Sequence, residues 1–377
     1  MRKIIFLTGT RADFGKIKSL ILRTQKDPEF QVTIFVTGMH MLEKYGSTHI
    51  EVDRSGIKNI YKFINQNYLD HMDIVLAKTV IGFSDYIKEN NQDMIIVHGD
   101  RVEALAGAIV GSLNNIKVGH IEGGEVSGTV DEVIRHSVTK LVNLHFVSNK
   151  SSYRRVMHLG EPKETIYEIG SPDIDVMKSN LLPNIKKTRR HYKIGFDNYA
   201  ILLFHPVTTE VKNLAKQTSI LVDALIQSKK NFIVIYPNND HGTDKIFAEY
   251  ERLKKNKQFY LIPSMRFEYF LTTLKNSEFI IGNSSAGIRE APYFGVPTIN
   301  IGSRQHNRSK GYSITNVDYN LNKIISAISN VKNTKRKKTK IFGSGDSDIK
   351  FYNIIKKKDI WLKDTQKYFK DYKFKIF

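Results

Sequence analysis

Short apolar runs alternate with longer helical patterns along most of this chain. In the first part, five runs rich in β-branched residues predict strands at 3–7, 31–36, 94–97, 117–121 and 144–147. Amphipathic patterns predict helices after most of them, at 15–25, 74–89, 102–113, 131–141 and 150–159. Alternation of this kind is typical of a parallel, doubly wound sheet. The first part of the chain is therefore predicted to be an α/β domain.

The alternation stops at residues 170–192, where two prolines and a basic run predict a connection, and then it begins again. Strands are predicted at 199–204, 232–236, 258–262, 279–281 and 298–301, with helices at 210–227, 243–254, 268–274, 286–293 and 323–328. We therefore predict two Rossmann-like domains, at residues 1–178 and 190–346, that bind ligand at the carboxyl ends of their strands. Helices predicted at 348–356 and 363–369 are expected to return residues 347–377 to the first domain, with Trp361 as a packing anchor.

The composition is that of a soluble globular protein, with 41% hydrophobic and 25% charged residues. The apolar run near the N-terminus is too short for a signal peptide, and no stretch approaches the roughly 20 residues that span a bilayer. The absence of cysteine excludes disulfides, thiolate zinc sites and iron–sulfur clusters. A cytoplasmic protein without a membrane partner is expected.

The formal net charge is +20, and half of this excess lies in residues 330–377, where fifteen Lys or Arg stand against five Asp. A polybasic run such as "KNTKRKKTK" (332–340) suggests nucleic acid or acidic lipid as a partner. No recognition motif accompanies the run, and a lysine-rich solvated surface is the simpler explanation. We therefore expect no nucleic-acid partner. A diffuse positive field would also suit a polyanionic small substrate.

Glycine and basic residues follow the first predicted strand in "TGTRADFGK" (8–16). Arg11 and Lys16 flank the start of a helix, and a helix N-terminus with basic side chains can bind an anion. The segment has neither a GxGxxG fingerprint nor the GK[ST] end of a Walker loop, which argues against dinucleotide and ATP phosphate cradles. A turn with a solvent-facing arginine is the alternative.

Three carboxylates are candidates for proton transfer. Asp100 follows the third strand, Glu122 directly follows the next strand, and Asp131 precedes a helix. If the two strands are neighbours, these carboxylates share one edge of the sheet, where mutual repulsion would raise at least one pKa. Asp100 could instead be a helix N-cap. Glu125 and Glu132 are expected to be an ordinary loop acid and an exposed helix acid.

Polar side chains also follow the strands predicted in the second part of the chain. They are His205, Asn238, Ser284, Ser285, Glu290 and Arg304. Serines at a helix N-terminus let backbone N–H groups approach a phosphate, and an arginine fork suits the same group. A glutamate farther along could hold ribose hydroxyls. Each feature alone is common, but their recurrence at successive strand ends predicts a binding site.

Taken together, several segments resemble the hydrolysing UDP-N-acetylglucosamine 2-epimerases of sialic acid biosynthesis. In order between residue 1 and about 323 they are "GTRADFGK", "HGDRVEALAG", "HIEGGEVSGTVDEVIRHSVTKL", "GSPDIDVM", "HPVTTE", "YPNND", "NSSAGIREAP" and "GSRQ". The resemblance implies a GT-B type fold with the active site in the cleft between the domains, UDP held chiefly by the second domain, and no metal or nicotinamide cofactor. It also implies a homo-oligomer, a dimer or tetramer.

The resemblance further implies the reaction and the residues that perform it. UDP-N-acetylglucosamine and water would give N-acetylmannosamine and UDP, by anti elimination of UDP across C1–C2 and hydration of the glycal. Asp100, Glu122 and Asp131 match the family's essential carboxylates, without an assignment of base and acid. The matching UDP- or substrate-binding positions are Arg11, Asp13, Lys16, Arg101, His205, Asn238, Ser284, Ser285, Glu290 and Arg304.

Four alternatives remain. Non-hydrolysing 2-epimerases have proline and glutamate after the first "GTR" and an acidic "ERPE"-like segment where this chain has "SRQHNR". A paralogue acting on UDP-2,4-diacetamido-2,4,6-trideoxyglucose shares the chemistry, and one sequence does not show the pocket for C4 and C6. A GT-B glycosyltransferase is a third reading. A non-catalytic basic RNA- or membrane-binding protein is the fourth, and it would need no carboxylate trio.

Overall fold

The structure, a computed structural model, describes residues 1–127, 130–178, 182–238, 240–305 and 313–371. Residues 179–181 of the predicted connection and residues 306–308 of "SRQHNR" lie outside these ranges. The chain divides into two compact units. The first unit comprises Met1–Glu125, Asp131–Asp175 and Phe342–Phe377, and the second comprises Val126–Val130 and Val176–Ile341.

The first unit is built on a seven-stranded parallel sheet. Its strands are β1 (Arg2–Thr8), β2 (Phe30–Val36), β3 (Asn59–Lys62), β4 (Met94–His98), β5 (Lys117–Ile121), β6 (Leu144–Val147) and β7 (Ile166–Glu168). They lie in the order β3-β2-β1-β4-β5-β6-β7. All five residues of β4 and of β5 are buried, as expected where helices cover both faces of a parallel sheet.

The second unit has a six-stranded parallel sheet. Its strands are β8 (Ala200–Leu203), β9 (Phe232–Ile235), β10 (Phe259–Ile262), β11 (Ile280–Gly282), β12 (Thr298–Ile301) and β13 (Ile314–Val317). Their order, β10-β9-β8-β11-β12-β13, is that of a Rossmann fold. Gly282 closes β11 with φ of 132°, and a Cβ there would lie 2.1 Å from the carbonyl oxygen of Leu203. Only glycine fits this close approach of β11 to β8.

Helices connect the strands in both units. They are α1 (Arg11–Thr24), α2 (His49–Asp53), α3 (Met72–Glu89), α4 (Val102–Leu113), α5 (Val130–Leu141), α6 (Lys150–His158), α7 (Pro172–Lys178), α8 (Ile185–Tyr192), α9 (Leu214–Gln227), α10 (Thr243–Lys254), α11 (Phe267–Lys275), α12 (Glu290–Phe294), α13 (Leu321–Asn330), α14 (Ser347–Ile355) and α15 (Lys358–Leu362). The prediction of an α/β protein with two Rossmann-like domains is confirmed. In the described ranges, no helix combines the length and the apolar character that crossing a bilayer requires.

The C-terminal helices pack in the core of the first unit. Phe351 of α14 is fully buried, and its ring lies 6.0 Å from that of Phe6 on β1. Trp361 of α15 lies 6.3 Å from the ring of Phe30, and its Nε1–H donates to the carbonyl of Ile355 at 2.8 Å. The last part of the chain thus completes the hydrophobic core behind β1 and β2.

Several elements differ from the sequence-based expectations. The predicted helix at 363–369 does not form, and α15 ends at Leu362. The helix predicted at 286–293 is divided into a 3-10 turn, Ser285–Gly287, and the short α12. The segment at 170–192 was expected to be a plain connection, yet it contains α7 and α8. Strands β3, β7 and β13 were not predicted.

Candidate active site

In the first unit the strand order reverses between β1 and β4, the position where open α/β sheets bind ligands. The turn after β1 is a capping box. The Thr10 side chain accepts from the backbone N–H of Asp13 at 3.2 Å, and the Thr10 N–H donates to Asp13 Oδ1 at 3.4 Å. Burial raises the pKa of Asp13, although a hydrogen bond from Thr8 opposes the shift. These contacts hold the backbone that opens α1.

Two of the predicted binding arginines lie beside carboxylates of their own unit. Arg11, the first residue of α1, lies 2.6 Å from Glu51, and both side chains are largely buried. Arg101 precedes α4, and its Nε donates to Glu103 at 3.3 Å. An arginine has five N–H donors, so each guanidinium can hold a carboxylate on one side and an anionic ligand on another.

Asp100 follows β4, and β4 pairs with β5 along its whole length, so Asp100 and Glu122 lie at the same edge of the sheet as predicted. Asp100 accepts a hydrogen bond from Nη2 of Arg135 on α5. It is not the N-cap of α4, which is Arg101. Asp131 lies four residues before Arg135 and therefore on the same face of α5.

Glu122 has an unusual backbone conformation directly after β5. Its φ is 67°, in the left-handed region that costs a non-glycine residue roughly 1–3 kcal/mol. Its N–H donates to the carbonyl of Phe146 at 2.9 Å. Its side chain is buried, with Oε1 in hydrogen-bond contact with the Ser171 hydroxyl and Oε2 3.2 Å from Nε2 of His98. The fold thus maintains a strained conformation that aims a carboxyl group at the edge of the sheet.

A line of buried polar groups continues beyond Glu122. The Ser171 hydroxyl also contacts Oδ1 of Asp173, and Oδ2 of Asp173 lies 3.3 Å from the ammonium of Lys16. Lys16 was predicted to bind substrate, and in the structure its ammonium forms an ion pair with Asp173. Sequence reasoning did not single out His98, Ser171 or Asp173. The signal for them was their position, His98 as the last residue of β4 and the other two shortly after β7, within the quoted segments "HGDR" and "GSPDIDVM".

Glu125 was expected to be an ordinary loop acid, and this expectation is wrong. Its side chain is 3% exposed. Its Oε1 accepts hydrogen bonds from the hydroxyls of Ser148 and Ser152, the second at 2.9 Å, and from Asn149 at 3.3 Å. These three donors come from the end of β6 and the start of α6, so Glu125 attaches the loop after β5 to the neighbouring strand. Glu132 is half-buried.

In the second unit, His205 lies at the corresponding reversal of strand order, between β8 and β11. Its backbone N–H donates to Asn283 Oδ1 at 2.7 Å, and the Asn283 amide donates back to the His205 carbonyl at 2.8 Å. The Nδ1 atom of His205 accepts from the N–H of Asn238 at 3.1 Å. A neutral imidazole held in this way carries its hydrogen on Nε2.

The remaining predicted binding residues follow β11 and β12. Ser284 caps the 3-10 turn that Ser285 begins, with its Oγ accepting from the backbone N–H two residues later at 3.3 Å. Glu290 opens α12 and is buried. Arg304 follows β12, is also buried, and its Nη1 donates to the carbonyl of Asn283 at 3.4 Å. The phosphates of a nucleotide can be bound by such backbone N–H groups, hydroxyls and a guanidinium, and its sugar by a carboxylate.

Among the residues that the structure describes, no three His, Asp or Glu side chains are arranged as metal ligands. The acidic residues of the first unit are instead surrounded by hydroxyls, an imidazole and basic side chains. Such groups tune carboxyl groups for proton transfer.

Comparison with known proteins identifies the family. The family model described as UDP-N-acetylglucosamine 2-epimerase matches residues 22–356. A UDP-N-acetylglucosamine 2-epimerase of Neisseria meningitidis is 44% identical over 98% of this chain and 99% of its own length. Polysialic acid biosynthesis protein P7 of Escherichia coli is 36% identical, and the match covers 87% of this chain and 85% of the Escherichia coli protein. A UDP-N,N'-diacetylbacillosamine 2-epimerase (hydrolyzing) of Legionella pneumophila is 32% identical, and the match covers 94% of this chain and 96% of the Legionella protein.

Solved structures have the same fold. The UDP-GlcNAc 2-epimerase of Methanocaldococcus jannaschii, in complex with UDP-GlcNAc and UDP, matches with a TM-score of 0.82 and 23% identity. The match covers 94% of this chain and 99% of the Methanocaldococcus chain. These epimerases have the GT-B-like fold, so the GT-B type expected from the motifs is confirmed. The chain belongs to the UDP-N-acetylglucosamine 2-epimerase family.

Proposed function

We propose that this protein is a hydrolysing 2-epimerase that converts UDP-N-acetylglucosamine and water into N-acetylmannosamine and UDP for sialic acid biosynthesis. The observation that carries the proposal is the arrangement around Glu122. A buried carboxyl group in a strained conformation, at one sheet edge with Asp100, is suited to proton transfer. The 44% identity to the Neisseria epimerase and the 36% identity to the polysialic acid protein support the substrate and the pathway.

The chemistry requires one acid and one base. When UDP is eliminated, the C1–O and C2–H bonds break and a C1–C2 double bond forms. An acid protonates the leaving oxygen, and a base removes the C2 proton. Water then adds to the glycal, with its hydroxyl at C1 and a proton at C2. The proposed groups for these steps are Asp100, Glu122 and Asp131.

UDP would be held by the residues of the second unit. Ser284 and Ser285 with their backbone N–H groups, and Arg304, would bind the diphosphate, and Glu290 would bind the ribose hydroxyls. His205, with its hydrogen on Nε2, can donate to an anionic oxygen. Arg11, Lys16 and Arg101 of the first unit are the further residues that we propose to bind anionic oxygens of the substrate.

Hydrolysis rather than reversible epimerisation is favoured by two features. The chain has "GTRAD" and "SRQHNR" in place of the motifs of non-hydrolysing enzymes. The Legionella relative, whose name specifies hydrolysis, is 32% identical over nearly the whole chain. We further propose that the enzyme is a cytoplasmic homo-oligomer, which size-exclusion chromatography with light scattering would test.

The same Legionella relative supports a second candidate substrate, the UDP-linked 2,4-diacetamido-2,4,6-trideoxy sugar. The deciding experiment incubates the protein with each UDP-sugar and measures UDP release and the free sugar by NMR. We expect kcat/KM to be higher for UDP-N-acetylglucosamine, with N-acetylmannosamine as product. Preference for the diacetamido sugar would favour the second candidate, and turnover of neither sugar would refute the proposal.

A further inference from the structure

One serine hydroxyl lies between two buried carboxyl groups in the first unit. The Ser171 Oγ is in hydrogen-bond contact with Glu122 Oε1 and with Asp173 Oδ1, and the three side chains are at most 4% exposed. A hydroxyl has a single hydrogen and donates only once, whereas ionised carboxylates only accept. If both carboxyl groups were ionised, one contact would bring two acceptors together with no hydrogen between them. One of the two therefore carries a hydrogen.

The surroundings indicate which carboxyl group it is. The ammonium of Lys16 lies 3.3 Å from Asp173 Oδ2, and a nearby opposite charge favours the ionised form. Ser171 then donates to Asp173 and accepts from Glu122. The other oxygen of Glu122 lies 3.2 Å from Nε2 of His98, but this nitrogen makes no hydrogen bond. This assignment gives a hydrogen to both contacts of Ser171.

We propose that Ser171 and Asp173 are positioning residues that keep Glu122 as a neutral carboxylic acid, and that Glu122 is therefore the acid that protonates the leaving UDP. The role as acid rests on the proposed function, whereas the protonation state of the resting protein does not. In contrast, Asp100 accepts from the guanidinium of Arg135, which favours its ionised form.

Other charged groups face this site from each neighbouring element. His98 at the end of β4 interacts electrostatically with Asp13 of α1, and Asp13 also interacts with Glu103 of α4. Lys16 of α1 faces Asp173.

The proton balance of the reaction closes with this assignment. Glu122 gives its proton to the UDP oxygen as the C1–O bond breaks, and a second base takes the proton from C2. The Ser171 hydroxyl can then turn to donate to the new Glu122 carboxylate. Water adds its hydroxyl to C1 and a proton to C2, and the proton on the base returns through solvent to Glu122. One water is consumed, and no other reactant is needed.

Infrared difference spectroscopy of the protein without substrate tests the protonation state. We expect wild type to show a neutral-carboxyl carbonyl band at neutral pH that Glu122→Gln lacks. Asp173→Asn removes a negative charge and frees Ser171 to donate to Glu122. In this variant the band should disappear at a pH roughly one to three units lower than in wild type. Ser148→Ala, which removes a buried hydroxyl from Glu125 instead, should leave the band unchanged.

An unaltered band in Glu122→Gln, or an unchanged titration in Asp173→Asn, would overturn the proposal. If Glu122→Gln did not fold, the Asp173→Asn titration would still decide. Turnover of UDP-N-acetylglucosamine without a Glu122 band would refute this inference alone. A Glu122 band without turnover of any UDP-sugar would refute the proposed function and leave the protonation state established.

Kinetics separate positioning from a merely structural role. In Asp173→Asn, the decline of kcat at high pH should begin at a lower pH than in wild type, with KM within a few-fold. Ser171→Thr keeps a hydroxyl and should retain more activity than Ser171→Ala. A uniform loss of kcat at every pH, with equal losses in the two serine variants, would mean that these residues only support the fold.

Discussion

Glu161 is an ionised side chain in the core of the first unit, and replacing it should destabilise that unit strongly. It is 1% exposed and lies 2.6 Å from Lys367 Nζ, 2.8 Å from Lys140 Nζ and 3.1 Å from His145 Nε2. Burial alone would raise the pKa of Glu161, but these partners lower it to about 2. Burial lowers the pKa of His145, although its hydrogen bond with Glu161 opposes that shift.

The size of the effect follows from the shift of the pKa. Lowering it from 4.5 to about 2 corresponds to about 3 kcal/mol, at about 1.4 kcal/mol per pH unit. Because the folded-state pKa of this carboxyl is depressed, the stabilisation is fully present above pH 4.5 and is lost as the pH falls towards 2. Glu161→Gln keeps the shape but leaves Lys367 partly buried without its carboxylate.

The assay is urea unfolding followed by fluorescence of Trp361, the only tryptophan, which packs in the first unit. At neutral pH, Glu161→Gln should lower the free energy of unfolding by about 3 kcal/mol, and the difference should shrink below pH 4.5. Glu132→Gln, which alters a half-buried acid of the same unit, should cost less than about 1 kcal/mol. Equal stability of Glu161→Gln and wild type at neutral pH, or a difference that does not depend on pH, would refute the reasoning.

Three further substitutions test binding, chemistry and fold. Glu122→Gln should lower kcat by about 10²–10⁴-fold, because a positioned proton donor is lost, while UDP affinity measured by calorimetry stays within a few-fold. Lost activity explained entirely by lost UDP binding would contradict its catalytic role. Arg304→Ala should weaken UDP binding by roughly 1.5–3 kcal/mol in the same assay, and unchanged affinity would exclude Arg304 as a phosphate ligand. Gly282→Ala should lower the thermal stability of the second unit, because its Cβ would lie 2.1 Å from the Leu203 carbonyl. A wild-type melting curve would mean that β8 and β11 can separate without cost.

The buried strands were predictable because parallel strands covered on both faces appear as short continuous apolar runs. The predictions at 117–121, 144–147 and 298–301 coincide with β5, β6 and β12. Strands β3 and β13 lie at sheet edges and expose several residues, so their sequences lack such runs. Strand β7, also at an edge, has only three residues. Pairing with a neighbouring strand, rather than local pattern, defines these edges.

The failed helix at 363–369 shows tertiary contacts overriding a local pattern. Lys117 donates to the carbonyl of Lys363, and Asn143 donates to the carbonyl of Thr365 at 2.8 Å. Lys367 reaches Glu161 at 2.6 Å. All three partners come from distant parts of the sequence, and Lys117 and Asn143 occupy carbonyls that a helix would use.

The site was partly predictable for a related reason. Asp100 and Glu122 could be placed together because each follows a predicted strand and parallel strands end at one edge. The contacts of Glu122 with Ser171 and His98 depend on the order of the strands and on rotamers, which local patterns do not contain. The sequence patterns did not single out Arg135, which is 1% exposed and bonded to Asp100.

The most direct measurement is turnover of UDP-N-acetylglucosamine in D₂O with the product analysed by NMR. If the protein eliminates UDP and hydrates the glycal, the C2 proton leaves with the base and is replaced from solvent. We therefore expect free N-acetylmannosamine with deuterium at C2, together with UDP. Product that retains protium at C2, or UDP-N-acetylmannosamine with the UDP still attached, would contradict the hydrolysing elimination.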